Sequence, residues 1–122
     1  YLIKMSNNII NMEERPWGRY FILDENEKYK IKRIEVEIGQ RLSYQFHKYR
    51  HETWIIIQGQ SVVTIEGKDI LCLEGDTIQI KTGSKHRIKN TGKNKLVFIE
   101  VQRGTYFGED DIIRIEDDYK RQ

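Results

Sequence analysis

The chain predicts an all-β domain built as one small sandwich or barrel, and three observations carry that prediction. Short stretches rich in Ile, Val, Tyr and Thr recur from Tyr20 onward, separated by Gly, Asn and Asp turn residues. No segment before the tail keeps a 3.6-residue apolar period. One proline and nine glycines punctuate the 122 residues, with no repeat, linker or low-complexity tract. Many short strands at this spacing close into a sandwich or a small barrel.

Taken in order, residues 1–14 are polar and Asn-rich and read as a loose N-terminal arm, a short helix or a remnant, ahead of a single domain at 15–122. Strands are expected at 20–23, 30–38, 42–47, 52–58, 61–65, 68–73, 77–80, 86–90 and 96–102, where β-branched and aromatic residues alternate with polar ones. Turns fall at Gly59, Glu66-Gly67, Glu74-Gly75-Asp76, Thr82-Gly83 and Asn90-Thr91-Gly92. The tail, 108–122, is acidic then basic and suits a strand, a short helix or both.

Composition narrows the class of function. With 21 basic and 19 acidic residues the net charge is +2, too balanced to point to nucleic acid or a membrane surface. The single cysteine, Cys72, excludes an internal disulfide and fits a reducing cytoplasm; it reads as a small buried hydrophobe. No apolar run is long enough to cross a bilayer.

Gln45 and His47 stand two residues apart and therefore share one face of a strand. Glu52 opens the next strand after a tight connection at 48–51, and hairpin pairing would turn it to the same cavity. His86, in a later strand, is expected to add a nitrogen from across the barrel. Two imidazoles, a carboxylate and an amide oxygen suit a divalent transition metal with an open position, and zinc, manganese, iron, cobalt and nickel are all compatible. His51 lies out of phase with His47 and reads as solvent-exposed.

The spacing extends further. Gly39, Gln45, His47, Glu52 and Gly59, followed by Gly75, Gly83, His86 and Asn90, resemble the two-part cupin signature, G-x5-H-x-H-x3–4-E-x6-G and G-x5-P-x-G-x2-H-x3-N. Gln45 replaces the first histidine and Lys81 the proline. The first change keeps a ligand-capable atom in a weaker site; the second alters a turn. The resemblance implies a cupin barrel, a double-stranded β-helix or jelly roll.

Three segments sharpen it: Arg15-Pro16-Trp17-Gly18, the run Q-x-H-x-x-R-x-E-x-W from Gln45 to Trp54, and E-V-Q-x-G-x-Y-x-x-E-D-D-I-x-R from Glu100 to Arg114. In this order they look like the type II phosphomannose isomerases, a family also found as the C-terminal half of bifunctional mannose-1-phosphate guanylyltransferases. The resemblance implies a metal-dependent isomerase of mannose 6-phosphate and fructose 6-phosphate, zinc first among the metals. It makes Gln45, His47, Glu52 and His86 the ligands and Arg114 an active-site arginine. Lys48 and Tyr49 stand where the family commonly has histidines. No G-x-G-T-R-type loop is present, so guanylyltransferase activity is not expected of this chain. The competing readings are a non-catalytic sugar-phosphate-binding cupin or separated half of a bifunctional enzyme, and a different cupin enzyme such as an oxygenase or a nucleotide-sugar epimerase. A small sugar phosphate is the expected partner, and a homodimer is compatible with the fold.

Such an isomerisation needs oxygen charge stabilised, a proton carried and a phosphate held. Ile34, Val36 and Ile38 share a face with Lys30 and Lys32. If that face is interior, Lys32 points into the barrel mouth and can meet a phosphate, as can Arg114 or Arg50. Glu100 shares a face with Leu96, Phe98 and Gln102, so it can line the cavity and carry the proton with a pKa raised by burial. Asp111 and a water at the metal are rivals. Trp54 and Ile56 share Glu52's face while Ile55 and Ile57 fill the other, which suggests a strand covered on both sides, with Trp54 in the core or cavity wall.

Overall fold

The computed structural model describes residues 11–121. The strands are β1 (Asn11–Arg15), β2 (Gly18–Glu25), β3 (Tyr29–Val36), β4 (Tyr44–His47), β5 (Arg50–Gln58), β6 (Ser61–Ile65), β7 (Lys68–Cys72), β8 (Thr77–Ile80), β9 (His86–Asn90), β10 (Leu96–Gly104) and β11 (Ile112–Glu116). A 3-10 turn, Glu109–Asp111, precedes β11, so the tail is both short helix and strand. One sheet runs β1-β2-β3-β10-β5-β8 and the other β11-β4-β9-β6-β7, and every pairing is antiparallel.

Two expectations about the ends of elements are corrected. Residues 11–14 belong to β1, paired along its length with β2, rather than to a loose arm or helix; the rest of the expected arm, 1–10, lies outside the described residues. β3 ends at Val36, so Ile38 leaves the interior face and is 58% exposed. The strand stops there because the chain turns at Gly39, which takes a φ of +77°.

Period-2 alternation builds the interior. Leu96, Phe98, Glu100 and Gln102 of β10 all point inward and are buried, as are Glu52, Trp54 and Ile56 of β5 and Lys30, Lys32, Ile34 and Val36 of β3. Register then sorts these residues by level. Leu96 faces Val36, and Phe98 faces Ile34 and Ile56, which makes one end of the barrel apolar. Glu100 faces Lys32 and Trp54, and Gln102 faces Glu52, which makes the other end polar. Trp54 sits on the boundary, its ring 5.0 Å from Phe98 on one side and 5.7 Å from His86 on another.

Asn90 ties the sheets together, donating from Nδ2 to the carbonyls of Val36 and Asn94, both at 2.9 Å. Gly18 admits the close approach of β3: a Cβ there would lie 2.0 Å from the carbonyl oxygen of Glu35. Outside the barrel, Glu35 is almost fully covered by Arg19, Arg33 and Lys95, at 2.8, 2.6 and 3.4 Å. β5 is not covered on both sides, because the outward Ile55 and Ile57 are 37% and 52% exposed. Among the described residues no helix is long and apolar enough to cross a membrane.

Candidate metal centre and its pocket

His47 closes β4 with its side chain inward, two residues from Gln45 on the same face. Gln45 pairs with His86 of β9, which sets the two imidazoles side by side with centroids 4.8 Å apart and Nε2 atoms 3.1 Å apart. Glu52 reaches in from the opposite sheet, its Oε2 3.1 Å from His47 Nε2. One ligand atom from each of His47, Glu52 and His86 lies within 4.8 Å of the others, and all three residues are buried.

This reverses the expected geometry while keeping its result. β4 and β5 do not form a hairpin, because the chain changes sheets between them. Glu52 therefore comes from across the barrel, and His86 from the strand next to His47. Gln45 is half-buried and lines the same pocket, and its Oε1 accepts a hydrogen bond from Ser43 Oγ at 2.6 Å.

The donor set fits a divalent cation. His86 Nδ1 lies 2.8 Å from the Ser84 carbonyl oxygen, which can only accept, so the proton belongs on Nδ1 and the Nε2 lone pair faces His47. Burial, reinforced by Arg50 and His86, drives the His47 pKa down to about 3. Burial also lowers that of His86. Neutral imidazoles beside a carboxylate are what metal ligation requires. The carboxylate is held in place: Arg50 Nε donates to Glu52 Oε2 at 2.9 Å and Trp54 Nε1 to Oε1 at 3.0 Å. Arg50 is thus a buried partner of Glu52, not of a surface carboxylate.

Above this cluster the pocket is lined by five cationic side chains, Arg15, Lys32, Arg50, Arg114 and Arg121, and three carboxylates, Glu52, Glu100 and Glu109. With every group ionised the lining carries five minus three, a net +2. Glu100 is buried and takes a 2.6 Å hydrogen bond from Gln102 Nε2. Burial, with the nearby charge of Glu52, pushes its pKa up to about 7 against the pull of Lys32. Lys32 does point into the mouth: its Nζ donates to Glu109 Oε2 at 2.8 Å and lies 4.1 Å from the centre of the Tyr20 ring. Burial works against the ammonium, yet Glu100 and Glu109 prevail and hold its pKa above the ordinary lysine value. Arg114 stands opposite Gln45 in the β11–β4 pairing, and burial and Arg121 hold its pKa below the usual arginine range.

Other candidates fall away from the pocket. Both Asp111 oxygens are committed, accepting from the backbone N–H groups of Lys48 at 2.9 Å and Tyr49 at 3.1 Å, which fixes the loop into β5. Tyr106 is exposed, with its hydroxyl donating to Asp110. His51 is exposed and its Nδ1 accepts from the Thr82 N–H. Cys72 is buried in the core. The sequence reading passed over Glu109, Arg15 and Arg121 as pocket residues. Glu109 and Arg15 lie inside the quoted motifs, which offered a signal; Arg121, in the polar tail, offered none.

An antiparallel double sheet closed around an inward His, Glu and His defines the double-stranded β-helix, or cupin, class. Solved structures agree on that fold. The capsular polysaccharide assembling protein CapF from Staphylococcus aureus superposes with a TM-score of 0.76 at 15% identity, over 87% of this chain and 34% of that one. An uncharacterized double-stranded beta-helix protein from Klebsiella pneumoniae gives 0.70 at 21% identity, over 79% of this chain and 77% of that one.

The chain belongs to the mannose-6-phosphate isomerase C-terminal family, whose model matches residues 5–117. Xanthan biosynthesis protein XanB from Xanthomonas campestris is 46% identical over 107 residues, 88% of this chain and 23% of that protein. Mannose-1-phosphate guanylyltransferase ManC from Salmonella typhimurium is 45% identical over 107 residues, 88% of this chain and 22% of that protein. The chain therefore spans under a quarter of the length of these relatives.

Proposed function

We propose that this domain is a metal-dependent aldose–ketose isomerase that interconverts mannose 6-phosphate and fructose 6-phosphate. Gln45, His47, Glu52 and His86 are its metal ligands, with zinc the first candidate. One observation carries the proposal: Glu52 of the His–Glu–His cluster lines a cationic pocket together with a buried carboxyl of pKa about 7, Glu100. Membership of the family supports the choice of substrate.

A bound divalent cation would supply Lewis-acid stabilisation of the sugar oxygens as charge develops on them. The chain's own groups do the rest. Glu100, balanced near neutrality, takes a proton from one of two adjacent carbons and returns it to the other. The hydroxyl proton passes within the enediolate from the oxygen of the carbon that loses its proton to the oxygen of the carbon that gains it. The Gln102 amide fixes the carboxyl's orientation for both transfers. Lys32 and Arg114 hold the phosphate, and Arg50, bound to Glu52, adds positive potential beneath it. The excess of cationic over carboxylate side chains in the lining suits a phosphate monoester dianion. Nothing in this chemistry requires a nucleic acid or a membrane.

The test is a coupled assay for fructose 6-phosphate, run with the chain as purified, after chelation and after zinc is restored. Turnover is expected to vanish on chelation and return with metal, and Arg114→Ala is expected to lower turnover with the barrel still folded. Full turnover after complete metal removal refutes the proposal. Binding of metal and sugar phosphate without any turnover favours the non-catalytic reading instead.

A further inference from the structure

We infer that Glu109 is a built-in competitor for the substrate's phosphate, holding Lys32 paired until a phosphate oxygen displaces it. The inference rests on the phosphosugar reading above and names the residue that polices it.

Glu109 opens the 3-10 turn, and its Oε2 sits on Lys32 Nζ at 2.8 Å. The two partners differ in freedom. The Lys32 side chain is 4% exposed and braced over Tyr20, whereas the Glu109 side chain is 35% exposed. The pair can open only by Glu109 leaving. The backbone beneath Glu109 is anchored on both sides, by Arg50 Nη1 reaching the Gly108 carbonyl at 3.4 Å and by the two N–H groups held by Asp111. Rotation of the Glu109 side chain is therefore enough, with no need to unfold the turn.

Glu109 Oε2 occupies the place on Lys32 Nζ that a phosphate oxygen would take, so that rotation must accompany the contact. When Glu109 swings out, the lining carboxylates fall from three to two while the five cations remain. A phosphate dianion then returns to Lys32 more negative charge and more acceptor oxygens than the carboxylate it displaced. A neutral sugar returns neither, so it does not displace Glu109 from Lys32. Glu109 thus weakens the binding of ligands that must reach Lys32 and leaves a neutral sugar largely unaffected.

The experiment titrates inorganic phosphate, mannose 6-phosphate and mannose by calorimetry into the wild-type chain and into Glu109→Gln, with thermal midpoints recorded for both. Removing an internal competitor raises apparent affinity by the reciprocal of the competent fraction, so phosphate and mannose 6-phosphate are expected to bind Glu109→Gln on the order of tenfold tighter. Mannose is expected to gain much less. Equal or weaker phosphate binding by the variant, or none by either protein, overturns the inference. A measurement on the wild type alone guards against a misfolded variant: the Glu109 carboxyl carbon resonance should shift on phosphate saturation, and a silent resonance also overturns the inference. Tighter phosphate binding by the variant with no isomerase turnover would sink the catalytic proposal alone. Turnover with unchanged phosphate affinity would sink only the role of Glu109.

Discussion

Glu52 is where fold and site meet, and Glu52→Gln tests both. In the metal-free protein its carboxylate takes hydrogen bonds from Arg50 Nε and Trp54 Nε1 and lies 3.1 Å from His47 Nε2, with every participant buried. The amide keeps the size and one acceptor, so the bond from Trp54 survives. The charge opposite Arg50 does not. Breaking a buried ion pair by neutralising one partner costs about 3–5 kcal/mol. Part of this is returned, because Glu100, freed from the like charge of Glu52, ionises more readily and also faces Arg50. The net loss should be about 2 kcal/mol. With a slope near 2 kcal/mol per molar, typical of a domain this size, the urea midpoint should fall by about 1 M. Urea unfolding of the apo proteins, followed by tryptophan fluorescence, measures it. A saturating metal should then raise the wild type's midpoint well above the variant's, since only a folded site with the carboxylate binds strongly. A midpoint within about 0.25 M of wild type in the apo state, against the expected fall of about 1 M, would mean that Arg50 does not depend on Glu52, and the account of the buried network would be wrong.

Two further predictions concern the fold around the site. Burial alone would raise the pKa of Glu35, but Arg19, Arg33 and Lys95 outweigh it and hold it below the usual carboxylate range. A carboxylate depressed in the folded state contributes stability above its unfolded pKa and loses it as pH falls through the folded value. Glu35→Gln should therefore cost about 1–2 kcal/mol at neutral pH, discounted because the three cations are solvent-screened, and should flatten the acid limb of a thermal midpoint–pH profile; parallel wild-type and variant limbs would contradict this. Gly18→Ala should cost about 2–4 kcal/mol, since its Cβ would collide with the Glu35 carbonyl in a paired strand that cannot move aside; a calorimetric midpoint equal to wild type would show that the contact yields.

Much of the site was legible because alternation along a strand is local. The inward faces of β3 and β10 follow from a two-residue count, and they correctly placed Lys32 and Glu100 inside. The same count put Gln45 beside His47. It failed where the chain left the strand geometry it assumed: Ile38 follows the end of β3, and Ile55 and Ile57 alternate outward onto a face left exposed among the described residues. Arg50 reads from the sequence as a cation for phosphate, because nothing at the start of a strand shows that its partner is Glu52, two residues on and buried.

Local chemistry, then, settled the strands, their inward residues and the kinds of atom available to a cation, because each depends on backbone geometry and side-chain type within a few residues. Tertiary structure alone decided that β4 and β5 part into different sheets, so that Glu52 meets His47 across the barrel. It alone brought Glu109 to Lys32 over 77 positions of sequence. Strand partnership and register between distant segments are set by how the whole apolar interior closes, and no short stretch of sequence carries that information.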